Sequence, residues 1–157
     1  MISELDYFHG AVLARMLHAT QQTMMIAPYS EIDNSSYIIN GCKGVYIKYC
    51  TKPMSPWSFS FPKRHYEMIL EMKHDLAEVF VILVCNDDGA VVLTLEEFQQ
   101  MVKSESHFGQ WISAARNRRE TYQINCSDRK LEFKIVKDDF SEKIFGLKSR
   151  NPDSAEV

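Results

Sequence analysis

The sequence predicts an α+β fold, a mixed sheet flanked by helices, in a single domain over 1–147 with a loose tail over 148–157. Three observations carry this. Segments with helical spacing and segments alternating at period two both occur, and they do not follow a strict β–α alternation. One run, EVFVILVC at 78–85, is apolar almost throughout and rich in β-branched residues, as a strand covered on both faces should be. A length of 157 residues, with 45% apolar and 25% charged residues, suits about one globular domain.

The elements follow in order. Ser3 and Asp6 form a capping-box variant, and Leu5, Phe8, Val12, Leu13 and Met16 then recur at helical spacing, so 4–20 reads as a helix. His9 falls within its apolar stripe, while Glu4 and Arg15 share its flank. TMMIAPY (23–29) is a short strand candidate ended by Pro28. SSYIIN (35–40) and VYIKYC (45–50) flank the turn residues Asn40-Gly41 and Lys43-Gly44, the signature of an antiparallel hairpin. WSFSF (57–61) alternates large apolar residues with serine, as a half-buried strand does. Pro62 suits the first turn of a helix running to about Leu76. After the apolar run at 78–85, NDDG is a turn and AVVLT (90–94) the return strand. Thr94 caps LEEFQQMV, with Glu97 completing a capping box. TYQINC and KLEFKIV, joined by SDR, read as a C-terminal hairpin. No internal repeat is present.

Composition narrows the function classes. No run of 18 apolar residues exists, and the acidic, amphipathic start MISELDYF is unlike a secretory leader, so a cytoplasmic location with no membrane partner is expected. Cys42, Cys50, Cys85 and Cys126 form no C-x-x-C pair and read as free thiols. A net charge of −3 argues against a protein that coats phosphate backbones through general basicity. It leaves room for a local basic cleft: Lys43, Lys48, Lys52, Lys63 and Arg64 fall close together, and ARNRR covers 115–119. Solvated surface charge is the plainer reading of both clusters. The five histidines show no H-E-x-x-H pattern, and no P-loop, G-x-G-x-x-G or G-x-S-x-G is present. His9 reads as a core histidine. Trp57, Phe59 and Phe61 read as a core face, with a base-stacking platform as the alternative.

Lys48 is the odd residue. Alternation places Tyr46, Lys48 and Cys50 on one face of their strand, opposite Val45, Ile47 and Tyr49. Either it is a surface lysine on an open sheet face, or it lies in a cleft between the sheet and the first helix. In the cleft it would stabilise developing negative charge, such as that of an attacked phosphodiester.

The layout of a helix, a hairpin with an intra-strand lysine, a further helix and a buried strand resembles the core of the PD-(D/E)XK nuclease superfamily, over roughly residues 4–94. The resemblance implies a restriction-endonuclease-like core. In that family a helix acid, an Asp near the second core strand and an acid-x-Lys on the third hold a divalent metal and orient water. Carried over, Lys48 stands for the strand lysine, Glu4 for the helix acid and Asp33 for the strand aspartate. Lys48, Glu4 and Asp33 would be the catalytic set, with Glu4 and Asp33 on a metal, Mg2+ being the expected ion. Tyr46 occupies the position where the motif has Asp or Glu, so the signature is degenerate. The pattern IKY…SPW.F.F also resembles small uncharacterised bacterial proteins of the same layout. The expectation is a degenerate nuclease-like domain that binds DNA or RNA through Lys43, Lys48, Lys52, Lys63 and Arg64, or that binds a protein partner. The expected setting is bacterial defence or mobile elements, with weak or no metal-dependent phosphodiesterase activity. The alternative is a non-catalytic protein–protein interaction subunit or homo-oligomer of a bacterial assembly.

Overall fold

A computed structural model describes residues 1–103, 109–127 and 134–148. The chain is α+β, with a five-stranded mixed sheet, a second three-stranded sheet and flanking helices.

Helix α1 (Glu4–Thr20) starts at the expected capping box: the Ser3 hydroxyl accepts from the Asp6 amide, and the Asp6 carboxylate accepts from the Ser3 amide at 2.8 Å. Strand β1 (Ile26–Pro28) lies at the sheet edge, where a proline costs no ladder bond. It pairs with β2 (Ser36–Ile39), which pairs antiparallel with β3 (Lys43–Cys50). Asn40 and Gly41 both take positive φ in the connecting turn, a conformation that glycine adopts freely and asparagine tolerates better than most residues. Strand β5 (Glu78–Cys85) runs parallel to β3, and β6 (Gly89–Thr94) returns antiparallel beside it.

Strand β4 (Trp57–Ser60) does not join this sheet. It pairs with β7 (Trp111–Ala115), which pairs with β8 (Gln123–Cys126), to form the second sheet. Helix α2 (Lys63–Asp75) carries the chain from β4 to β5, and α3 (Leu95–Met101) follows β6 through the Thr94–Glu97 capping box. The predicted C-terminal hairpin is represented by one antiparallel bridge, Tyr122 to Ile135; residues 128–133 lie outside the described residues. A short helix, α4 (Phe140–Phe145), follows where no helix was expected. Most of the predicted tail, 149–157, lies outside the described residues.

Both faces of the five-stranded sheet are covered. On one face Val45, Ile47, Phe80, Ile82 and Val92 meet Val12 and Met16 of α1 and Phe140 and Ile144 of α4. On the other face Tyr46, Val81, Leu83 and Leu93 meet α2, α3 and the second sheet. This double cover is why β5 is apolar almost throughout. Gly44 marks the closest approach of α2: a Cβ there would fall 2.7 Å from the Met72 side chain. Trp57, Phe59 and Phe61 are all buried, so they are a core face and not a stacking platform. Among the described residues no helix is long and apolar enough to cross a membrane.

Candidate functional site

The site forms where the loop after β1 meets the buried middle of β3 and the first turn of α2. Ser30 shapes the loop by accepting from the amides of Ile32 and Asp33. Asp33 then accepts from the Ser35 amide at 2.7 Å, an Asx turn that fixes its carboxylate. The Ile47 amide donates to the Ser35 carbonyl at 2.9 Å, which ties the loop to β3. Asp33 is thereby held beside Tyr46 and Lys48, which share one face of that strand.

Helix α2 contributes Arg64 and His65. Pro62 precedes the helix and offers no side-chain cap, and the first turn has no acidic residue. A helix start prefers negative charge, so a basic first turn is the reverse of the usual pattern. Lys48 Nζ lies 2.8 Å from His65 Nδ1 and 5.0 Å from the centroid of the Phe61 ring. An ammonium has no acceptor, so it donates to Nδ1, which leaves the imidazole proton on Nε2 as a further donor. The Tyr46 and His65 rings are 6.2 Å apart. A cavity of about 290 Å³ opens here, walled by Asp33, Asn34, Tyr46, Arg64, His65 and Met68 together with Ile32 and Ser35. Lys48 stands behind this wall and reaches it through His65.

The electrostatics follow from burial. Loss of water pulls the Lys48 ammonium down to about 8, against a smaller upward pull from Asp33. The same loss, reinforced by Lys48 and Arg64, lowers the His65 imidazole. Burial, the Asp33 charge and a hydrogen bond to Asp33 push the Tyr46 phenol up, so it stays a neutral donor.

The predicted site residues separate. Asp33 and Lys48 come together. Glu4 is exposed in the first turn of α1, a helix that packs on the opposite face of the sheet, where Phe8 stacks on Tyr49 at 4.7 Å. The cleft at Lys48 therefore lies against α2 and not the first helix. Neither is Lys48 on an open face: it is half-buried, and Tyr46 beside it is only 1% exposed. The basic cluster also disperses. Lys43 pairs with Glu78, Lys63 lies 3.7 Å from Glu67, and Lys52 donates to the Pro56 carbonyl. Only Lys48 and Arg64 of the five converge on the cavity region. In ARNRR, Arg116 is committed to Asp88. His9 is buried and bonded to the Tyr37 hydroxyl at 2.7 Å, a satisfied core histidine.

No protein-family model matches this chain, and neither a curated protein nor a solved structure matches it. Of the three residues that the resemblance to PD-(D/E)XK nucleases would make catalytic, Asp33 and Lys48 lie together and Glu4 lies apart. The donor set does not fit the Mg2+ that likeness implies. A hard divalent cation takes several oxygen ligands, whereas Asp33 is the carboxylate walling the cavity and an ammonium stands beside it. Among the described residues no group of three or more His, Cys, Asp or Glu could hold a metal.

His65 is the site residue that the sequence did not single out. His65 is 17 positions from Lys48 and fits no spacing motif, so no local signal marks it. Tyr46 was visible as a neighbour of Lys48 on one strand face and as a departure from the motif, but not as a wall of the cavity.

Proposed function

We propose that this chain is a degenerate nuclease-like domain that binds nucleic acid through a phosphate held at Arg64 and His65, with Lys48 behind them. The observation that carries the reading is the half-buried Lys48 ammonium 2.8 Å from His65, beside Arg64 and at an uncapped helix start. Lys48 and His65 taken out of water beside Arg64, with Asp33 as the opposing charge among the described residues, cost folding energy. A phosphate entering the cavity offsets that cost by supplying the missing negative charge. The chain's overall charge of −3 confines such affinity to this site.

The test is fluorescence anisotropy with short labelled single-stranded RNA and DNA at several salt concentrations. Contact with one phosphate gives a log–log salt slope of about −0.7, far shallower than that of a backbone-coating protein. Arg64→Ala and His65→Ala should each weaken binding. Failure to bind either nucleic acid at low salt, or variants equal to wild type, would refute the reading. Incubation with Mg2+ or Mn2+ addresses cleavage: metal-dependent cutting that Lys48→Ala abolishes would show an active enzyme instead.

A second reading, the protein-interaction subunit, draws on exposed apolar residues around edge strand β1. Ile32 is 95% exposed and Met25 65% exposed. Light scattering after size exclusion, with Ile32→Ser as the control, reads out self-association.

A further inference from the structure

Resting on the nucleic-acid reading just given, we infer that the site takes a ribonucleotide, with the Asp33 carboxylate accepting a hydrogen bond from the ribose 2′-hydroxyl beside the bound phosphate. Asp33 is a residue that a plain phosphate site would not have. Arg64, His65 and the helix start are donors, and an anion needs donors only. A carboxylate in the same wall repels phosphate. Asp33 is not there by accident of a mobile loop, since the Ser35 amide holds one of its oxygens and the Ser35 carbonyl is bonded to β3.

An ionised carboxylate offers about four lone-pair positions. The Ser35 amide takes one, and the Tyr46 phenol lies beside the same carboxylate. The remaining acceptor capacity belongs to a group that walls the cavity. The ligand this wall fits therefore carries a negative group and, close by, a neutral hydroxyl donor. In RNA the 2′-hydroxyl sits on the carbon next to the one bearing the 3′-phosphate, and DNA lacks it there. A cavity of about 290 Å³ lies at the small end of ligand pockets, which suits one nucleotide unit and not a duplex.

The experiment compares one sequence as single-stranded RNA, as DNA and as 2′-O-methyl RNA, on wild type and on Asp33→Asn. Asparagine keeps an oxygen for the Ser35 amide but replaces the second acceptor with a donor. Wild type should prefer RNA by about tenfold, the scale of one hydrogen bond to a charged group, and 2′-O-methyl RNA should fall to the DNA level. Asp33→Asn should bring the RNA-to-DNA ratio close to one while DNA itself binds more tightly, because a repelling charge is gone. Equal wild-type binding of all three ligands would overturn this inference and leave the nucleic-acid reading standing. Binding of none would overturn both. The 2′-O-methyl comparison needs no variant, so the inference stays testable if Asp33→Asn folds poorly.

Discussion

Replacing Lys48 with methionine should stabilise the protein at neutral pH, and the gain should vanish as the pH rises. Burial moves the Lys48 ammonium from 10.5 to about 8. Below pH 8 both the folded and unfolded chains carry the proton, and the folded chain bears the whole desolvation cost. Between about 8 and 10.5 the unfolded chain binds more protons than the folded one, so stability rises with pH across this window. The displacement corresponds to about 3 kcal/mol, and the residual contact of the side chain with water trims it to about 2 kcal/mol. Against this, Lys48→Met leaves His65 Nδ1 without its donor, a loss of about 1 kcal/mol. The net expectation is a variant more stable than wild type by about 1 kcal/mol below pH 8. It should become less stable by a similar amount near pH 10.5, where only the lost hydrogen bond remains. Urea unfolding of both proteins across this range reads the difference. Taking the difference removes the opposing drift from Cys85, Tyr29 and Tyr122, whose raised values pull stability down at high pH in both proteins alike. A difference that does not change with pH would refute the claim that Lys48 is held at a desolvation cost.

Other positions test the frame that holds the site. Arg116 donates from Nε and Nη2 to Asp88, at 2.8 and 2.5 Å, and Tyr122 donates to the same carboxylate at 2.6 Å, joining the β5–β6 turn to the second sheet. Arg116→Met should cost about 2 kcal/mol in chemical denaturation, and a cycle with Asp88→Asn should show strong coupling. Arg116 holds the Asp88 carboxyl below its ordinary 3.8, so this pair stabilises above that pH and is lost as acid protonates Asp88. An acid titration should accordingly find wild type losing its advantage over Arg116→Met below about pH 4. Thr94→Ala removes the cap of α3 and should lower stability by about 1 kcal/mol in thermal unfolding. Gly44→Ala pushes a methyl into Met72 and Leu76 and should cost about 1 kcal/mol, less if those side chains swing aside.

How much of this was legible depended on whether the signal was local. Capping boxes are written within four residues, so both helix starts, at Ser3–Asp6 and Thr94–Glu97, were readable and are present. The apolar run at 78–85 announced a strand covered twice, and β5 is that strand. Alternation in WSFSF revealed a half-buried strand but not which sheet would receive it, because partner choice depends on Trp111–Ala115, more than fifty residues on. Helix α4, at six residues, is too short to display a period. Parity along β3 separated Lys48 from Ile47 correctly. It carried no information on what covers each face, so the cleft was assigned to the wrong helix. The pairing of Lys48 with His65 depends on where the crossover returns α2, which no residue spacing encodes.

Tyr46 gives these observations a common cause. An acid at that position would sit beside Asp33 and two residues from Lys48. It would give the lysine a counter-charge and, with Asp33, two carboxylates for a hard cation. Tyrosine, kept neutral by burial and by Asp33, does neither. The site is then short of one negative charge while still holding Lys48, His65 and Arg64. Three basic side chains against the single carboxylate of Asp33 favour an anion over a cation there, and burial, with Arg64 adding to it, lowers both Lys48 and His65. A bound phosphate would raise both groups again, since an opposite charge favours the protonated forms. Ligand binding above pH 8 should therefore carry a proton with it, which makes the lysine that looked misplaced in an apolar strand the residue that reports occupancy of the site.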